Sequence, residues 1–476
     1  MLGAACALVP ALAMWGFTVD DALIPVRYAH NLATGAGYRF DAHGPSADGV
    51  TPLPWALLLA PLSGGDGLTT LVRAKVLGIA CWTLGGGALG TRVGSMVAGV
   101  RRVHVAMAAL ALVAMGLAFP IGAWAASGME TGLSTALATV AVASLGRSRP
   151  NVVAGLAGAV AAFRPEMVVW AIALAVGAAV LGNGESDRET SAGRGGAAAA
   201  ARAAAVAAGP FLLCAAVRLA IFGRPAPLAV LAKPSDLSHG ALYVGAATLV
   251  VLTPVLATAP VALIRGAGRD IGLARVVVIA FAAHAMAVLA AGGDWMPYAR
   301  LMVPIAPSLV LAFVALLASS RLELVLARLA ATLVLGTLLA ARAAPAGRGV
   351  HADRADLIAR ARPVLAGARV VAALDIGWVS AATEARIVDL AGLTDASIAM
   401  LPGGHTSKRV DTSMLLDRGV DTVIVYSNLR VVEMRIVRTE LFASRFEKLA
   451  ELPLGSRGTF YTVYRLRPPT AEPSAP

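Results

Sequence analysis

Apolar runs of about 20 residues, the length that spans a bilayer, recur along the first three quarters of this chain. Inside a membrane every backbone polar group must be bonded internally, so only helices and closed barrels cross it. The chain is 58% hydrophobic and 14% charged, with a mean hydropathy of +0.74, whereas soluble domains carry about 25% charged residues. These features predict a mainly α-helical, polytopic transmembrane bundle.

Apolar length alone predicts about eleven spans. They lie near residues 2–19, 72–91, 103–119, 129–145, 151–163, 166–182, 203–222, 241–263, 273–291, 301–318 and 324–342. Residues 53–63 are apolar but too short to cross, which is typical of a helix lying at the interface. Residues 183–202 have the polar, low-complexity composition of a linker.

Lysine and arginine are divided unequally between alternate loops, about 13 against about 9, and the richer set is expected in the cytoplasm. This bias accounts for the net charge of +12 without a nucleic-acid partner. It places one group of segments on the extracytoplasmic side. They are residues 20–54, residues 120–128, Arg164, residues 222–240 and residues 292–300.

The composition changes after residue 342, since residues 343–476 hold 14 of the 28 acidic residues. Strand-like runs at 368–374, 421–426 and 459–466 alternate with helical patterns such as residues 431–450. We predict a transmembrane domain at 1–342 and a small α/β domain at 343–476 with a disordered tail. An odd number of spans would place this second domain outside the cytoplasm.

Every predicted extracytoplasmic segment carries polar residues at the membrane boundary, where charge is costly and usually lines a water-filled or substrate-bearing cavity. The candidates are Asp20, Asp21, Arg27, Tyr28, His30, Glu130, Arg164, Glu166, Lys233, Asp294, Trp295 and Arg300. Five clusters on one side predict one shared site.

Simpler roles exist for several of these side chains. Arginines near span ends often extend to the interface as anchors, Trp295 could belong to an aromatic belt, and Glu130 could cap the next helix with Ser127. His30 is more typical of a surface or packing histidine than of a catalytic base. The adjacent Asp20 and Asp21 are harder to explain structurally, because their charges repel and one would cap a helix as well as two.

Carboxylates at this boundary could act as a general base on a sugar hydroxyl, and arginine or lysine could hold the phosphate of a lipid-linked donor. The paired aspartates could also bind a divalent metal, although two adjacent carboxylates without further ligands are weak evidence for one.

Residues 20–41, DDALIPVRYAHNLATGAGYRFD, and residues 49–55, GVTPLPW, resemble the opening of one branch of the GT-C integral membrane glycosyltransferases. That branch includes the mycobacterial terminal arabinofuranosyltransferases and uncharacterised bacterial relatives. Four later segments match the family in the same order. They are SGMETGL (127–133), FRPE (163–166), GGDWMPYARLMVPIAP (292–307) and DIGWVSAATEARIVDLAGLTD (375–395).

The resemblance implies an inverting transfer from a polyprenyl-phosphate sugar to a cell-envelope glycan or glycolipid, at the extracytoplasmic face of a bacterial plasma membrane. It implies an aspartate base, for which we favour Asp21, with Asp20 capping a helix or orienting the site. Asp48, Val50 and Met167 replace the family's glutamate, tyrosine and glycine, and the 222–233 loop keeps only its Ala-Lys end. These departures leave the sugar open.

Two alternatives remain at the level of sequence. A transporter or flippase of a lipid-linked glycan would also need many spans and buried charge, but it predicts inverted repeats and charges near the midplane. A non-catalytic scaffold displaying the second domain would leave the five boundary clusters unexplained.

Overall fold

The computed structural model describes residues 1–186, 192–233, 235–252, 263–264, 266–456 and 458–468. The centre of the predicted linker, the second half of the predicted 241–263 span and most of the predicted disordered tail lie outside these ranges. Within them the chain is mainly helical and carries one sheet close to its C-terminus. The predicted helical architecture with a small α/β region is therefore confirmed.

The first part of the chain is built from α-helices joined by short loops. In chain order they are α1 Leu2–Ala13, α2 Leu23–Ala33, α3 Leu53–Leu59, α4 Gly67–Met96, α5 Arg102–Leu117, α6 Phe119–Ala125, α7 Thr131–Ala143, α8 Pro150–Phe163, α9 Val168–Ser186, α10 Ala192–Phe222, α11 Leu228–Ala232, α12 Leu237–Leu252, α13 Arg269–Ala290, α14 Leu309–Leu316 and α15 Leu322–Arg348. Single-turn 3₁₀ helices at Asp20–Ala22 and Pro165–Met167 precede α2 and α9.

Among the described residues, five helices are long and apolar enough to cross a membrane, or six if α5 and α6, bent by 58°, form one span. Other predicted spans contain apolar helices of 10–17 residues. The predicted 301–318 span begins as the 3₁₀ helix Val303–Ser308, and Pro307 inside it lacks the backbone donor of a regular α-helix. The number of about eleven spans stays a prediction.

The C-terminal part forms a five-stranded sheet in the order β2-β1-β3-β5-β4. Its strands are β1 Val370–Ala373, β2 Arg386–Asp389, β3 Thr422–Tyr426, β4 Phe446–Leu454 and β5 Thr459–Leu466. β1 pairs in parallel with β2 and β3, whereas β5 is antiparallel to β3 and β4. The helices of this part are α16 Val350–Leu365, α17 Ile376–Ala382, α18 Ala396–Ala399, α19 Thr412–Asp417, α20 Val431–Val437 and α21 Glu440–Arg445.

The helix predicted at residues 431–450 is wrong in its last five residues. Residues 431–445 contain α20 and α21, but residues 446–450 belong to β4. This strand pairs with β5 from Phe446 opposite Leu466 to Leu454 opposite Thr459. Hydrogen-bonded pairing with the next strand of the chain has overridden the local helical pattern.

The sheet-containing part packs directly on α2 and on the segments that precede α3 and α4. Arg27 forms an ion pair of 2.5 Å with Glu384, and Arg362 lies 3.3 Å from the Asp66 carboxylate. A Cβ atom at Gly49 would come within 2.5 Å of the Thr394 side chain, so this close approach requires glycine. The first loops and the C-terminal part therefore share one side of the helical bundle.

We expect this shared side to lie outside the cytoplasm, because the alternate loops hold more lysine and arginine. An alkaline phosphatase fused after residue 468 should be active, and a green fluorescent protein at the same position should be dark. Fusions after residue 100, between α4 and α5, should give the inverse pattern and serve as the control. Fluorescence without phosphatase activity at residue 468 would contradict this orientation.

Candidate functional site

A cavity of about 90 Å³ lies where the C-terminal part meets the loops of the bundle. It is bounded by the start of α2, the segment before α3, the loops before α7 and α9, and the segments around Lys233 and Arg300. Its lining residues are Asp21, Ile24, Pro25, Gly49, Val50, Thr51, Pro52, Met129, Glu130, Phe163, Arg164, Glu166, Ala229, Lys233, Arg300, Leu301 and Leu393. Six of the residues predicted to form a shared site thus line one cavity.

Asp21 lies in the 3₁₀ turn that leads into α2 and faces this cavity. In the described parts of the chain its carboxylate makes no hydrogen bond and no ion pair within 4 Å. Burial raises the pKa of Asp21 above its usual value, and the positive charges of Lys233 and Arg300 partly oppose this rise. A carboxylate with free lone pairs and a raised pKa is suited to accept a proton from a bound hydroxyl.

Arg164, at the break between α8 and α9, is held by two carboxylates. Its Nη1 lies 2.8 Å from Glu130 and its Nη2 lies 2.6 Å from Glu166. Arg164 and Glu130 are almost fully buried, whereas Glu166 is partly open to the cavity. The second oxygen of Glu130 is buried and has no hydrogen-bond partner in the described ranges. These three side chains fix the junction of α7, α8 and α9. The carboxylate of Glu166 remains partly exposed to the cavity.

Arg300 and Lys233 supply positive charge from two further loops. The Nε of Arg300 donates to Asp294 at 2.8 Å, and its guanidinium lies 5.8 Å from the Trp124 ring centroid. The Lys233 ammonium makes no hydrogen bond or ion pair with any described residue. Lys233 is therefore available for an anionic group entering the cavity, and Arg300 keeps donors beyond the one used by Asp294.

The loop that presents Asp294 and Arg300 has an unusual backbone. Gly292 and Gly293 have φ of 87° and 74°, and the non-glycine residues Tyr298 and Ala299 have φ of 60° and 53°. Left-handed conformations at non-glycine residues cost about 1–3 kcal/mol each and cluster at functional sites. The Trp124 indole holds this loop by donating to the carbonyls of Pro297 and Tyr298.

Asp20 points away from the cavity and into the C-terminal part. Its two carboxylate oxygens accept the backbone N–H groups of Gly377 and Trp378 at 2.8 and 3.0 Å, and Arg354 lies 3.9 Å away. These N–H groups belong to the first turn of α17, where helices leave donors unsatisfied. Asp20 thus caps a helix remote in sequence. Burial raises its pKa to about 6.

Three other predicted substrate-binding residues do not line the cavity. Arg27 pairs with Glu384, and the Tyr28 hydroxyl donates to the Ala47 carbonyl at 2.7 Å while accepting from Gly49 N–H at 3.0 Å. His30 lines a separate depression beside Arg27. In this structure Arg27 and Tyr28 hold the 40–49 loop and the C-terminal part in place rather than reaching the cavity.

Trp295 lies outside the lining of the cavity and is 68% exposed. Its ring stacks on His239 with centroids 4.1 Å apart, and His405 approaches at 6.3 Å. It is adjacent in sequence to Asp294, which orients Arg300. The predicted substrate contact of Trp295 stays a prediction.

Arg218 is one of the basic residues counted near the span ends, and the sequence predicted no further role for it. Arg218 in α10 donates from Nε to Asp48 at 2.6 Å and from Nη2 to the Thr51 carbonyl at 2.5 Å. Both charged side chains are nearly fully buried. This pair anchors the segment that carries Gly49, Val50 and Thr51 along the cavity. The sequence signal was an arginine within the apolar run of residues 203–222.

The described residues contain no group of three or more His, Cys, Asp or Glu side chains placed to hold a metal ion. Asp20 and Asp21 diverge, since one binds backbone N–H groups of α17 and the other faces the cavity. The divalent-metal site considered for this pair of aspartates stays a prediction.

A family model described as a domain of unknown function (DUF8728) matches residues 354–464. The match begins within α16 and ends within β5, so it covers the sheet and its helices. No curated protein matches the chain. The comparison delimits the C-terminal part as a recurring unit and assigns it no activity.

Proposed function

We propose that this protein transfers a glycosyl group from a polyprenyl-phosphate sugar to a cell-envelope glycan or glycolipid at the extracytoplasmic membrane face. Asp21 acts as the general base on the acceptor hydroxyl, and the reaction inverts the configuration of the sugar. Lys233 and Arg300 provide the positive charge that receives the donor phosphate as leaving group, while Arg164 is held by Glu130 and Glu166.

The observation that carries the proposal is the set of charged side chains that share the cavity with Asp21. The Asp21 carboxylate and the Lys233 ammonium both lack hydrogen-bond and ion-pair partners among the described residues, and they share the cavity with two guanidiniums that come from other loops. General-base catalysis needs a proton acceptor beside the hydroxyl, and a departing phosphate needs fixed positive charge. The cavity contains both the proton acceptor and the positive charge. The resemblance of its segments to GT-C enzymes supports the same reaction.

The position of the cavity argues against the transporter alternative. α13 has 22 residues, which gives a length of about 33 Å, close to the roughly 30 Å of membrane hydrocarbon. The loop with Asp294 and Arg300 follows the C-terminal end of this helix. A transport site is expected near the midplane, whereas this cavity lies at one end of α13.

Donor binding can be tested on the two accessible cations. We expect Arg300→Ala and Lys233→Gln each to weaken binding of farnesyl phosphate by about 1.5–3 kcal/mol, the size of one charge-assisted hydrogen bond. Isothermal titration calorimetry of the purified protein measures this. Lys233→Gln gives the cleaner result, because no described side chain loses an ion pair.

Arg362→Ala is the matched control, since this arginine lies on the same side, is half exposed and contacts Asp66 outside the cavity. It should bind farnesyl phosphate like the wild type. Unchanged affinity in both cavity variants would contradict the assignment of the phosphate site.

A further inference from the structure

The depression beside Arg27 and His30 is a second cavity, of about 350 Å³, between the bundle and the C-terminal part. Its walls are formed by α2, by the start of α4, and by α17 with the residues that follow it. Ile24 lines the first cavity, whereas Val26 and His30 line the second. Since successive helical residues are about 100° apart, the two cavities lie on opposite faces of α2. A volume above about 300 Å³ at a boundary between two parts of a chain is typical of a ligand site.

The charged side chains that line the second cavity balance one another. Arg27 is paired with Glu384 at 2.5 Å, and Arg362 lies 3.3 Å from the Asp66 carboxylate. The lining therefore carries two positive and two negative charges. The charge of Arg27 also acts on the Asp41 carboxylate, which lies outside the lining. A charged ligand would find no unbalanced partner in this cavity, so the lining favours a neutral ligand.

Unused hydrogen-bonding groups surround these ion pairs. The His30 ring is partly exposed and forms no hydrogen bond or ion pair with any described residue. The Thr383 hydroxyl accepts from the Ala385 N–H at 3.1 Å, and no acceptor among the described residues takes its own proton. Glu384 is 80% exposed, and only one of its two oxygens pairs with Arg27. The cavity therefore offers free donors and free acceptors side by side.

We propose that the second cavity binds a neutral sugar residue of a glycan chain. Each sugar hydroxyl both donates and accepts a hydrogen bond, as the free polar groups of this lining require. The C–H groups of a sugar ring can pack against Leu23, Val26 and Ala382, which also line the cavity. That the chain is the acceptor of the transfer rests on the proposed function, whereas the binding itself does not. A polymeric acceptor held here would have a raised effective concentration near Asp21.

Isothermal titration calorimetry of the full purified chain, without any donor, tests the site with octasaccharides of arabinan, galactan and mannan as separate probes. The wild type should bind at least one of them. For that octasaccharide, His30→Ala combined with Thr383→Val should weaken binding by about tenfold or more, because two neutral hydrogen bonds are lost. Ala382→Phe should abolish measurable binding, because its ring would occupy the cavity. Where Ala382→Phe fails to fold, the double variant, which removes exposed polar groups, decides the question.

His43→Ala is the matched control, since His43 is an exposed histidine in the loop after α2 and lies outside the second cavity. It should bind the octasaccharide within about twofold of the wild type. Asp21→Asn should do the same, because Asp21 lines only the first of the two cavities.

Two results would overturn the proposal. One is that the wild type binds none of the octasaccharides, and the other is that the double variant binds them as tightly as the wild type. A loss of binding in the double variant together with full turnover by Asp21→Asn would support the glycan site and refute the proposed function instead, so the two failures are distinguishable.

Discussion

Asp21→Asn should lower turnover by about 10²–10⁴-fold with little change in donor binding. Removal of a general base has this size of effect, because the acceptor hydroxyl must then lose its proton without help. Asparagine keeps the shape of the side chain but cannot accept the proton. The measurement is transfer from a polyprenyl-phosphate-linked arabinofuranose to a short arabinan by purified protein, alongside farnesyl phosphate titration to show that the cavity is intact.

Asp20→Asn is the matched control, since it changes the neighbouring aspartate in the same way. Asp20 caps α17 instead of facing the cavity, so this variant should stay within about tenfold of wild-type turnover while losing about 1–3 kcal/mol of stability. If Asp20→Asn abolished turnover and Asp21→Asn did not, Asp20 would be the general base and Asp21 would not. Near-wild-type turnover in both would reject catalysis by this loop.

The pH profile gives an independent check on Asp21. Its pKa is raised by burial, and a base works only when deprotonated. Turnover should therefore fall as the pH drops through this raised pKa, which lies above the ordinary value for an aspartate. The acid limb should vanish in Asp21→Asn, where the residual rate no longer depends on this group.

Arg218→Met should destabilise the protein by about 3–5 kcal/mol, the cost of leaving a buried charge without its partner. In this variant the Asp48 carboxylate would lose its guanidinium partner. Because Asp48 is only 3% exposed, water could not solvate the carboxylate instead. The carbonyls of Val50 and Thr51 would lose donors as well. Unfolding of the purified protein, followed by steric trapping in bicelles, measures the free-energy change.

Asp48→Asn combined with Arg218→Met provides the control for this prediction. The double variant removes both charges and should recover part of the lost stability, because no isolated charge remains buried. Arg224→Met changes a partly exposed arginine in the loop after α10 and should alter stability by less than about 0.5 kcal/mol. Equal stability of Arg218→Met and the wild type would contradict a structural role for the buried pair.

The sequence predicted the residues that line the cavity better than their individual roles. Charge at membrane boundaries is costly, so Asp21, Glu130, Arg164, Lys233 and Arg300 were recognisable as a set. Which of two adjacent aspartates faces the cavity could not be read with certainty, because it depends on α17, more than 350 positions away. For the same reason Arg27 and Tyr28 could not be recognised as supports of the C-terminal part.

The sequence by itself determined the helical membrane character, the small α/β part and the presence of polar clusters at the ends of apolar segments. These properties follow from local composition and periodicity, since a long apolar run has few options in a bilayer. Only the tertiary structure decided that residues 446–450 join a sheet, that Asp48 is neutralised by Arg218, and that Asp20 caps a remote helix. The strand forms because β5 follows it closely in the chain and supplies its hydrogen-bonded partners. The other two depend on partners far apart in the chain, whose pairing is fixed by packing and by the need to satisfy buried charge and backbone donors.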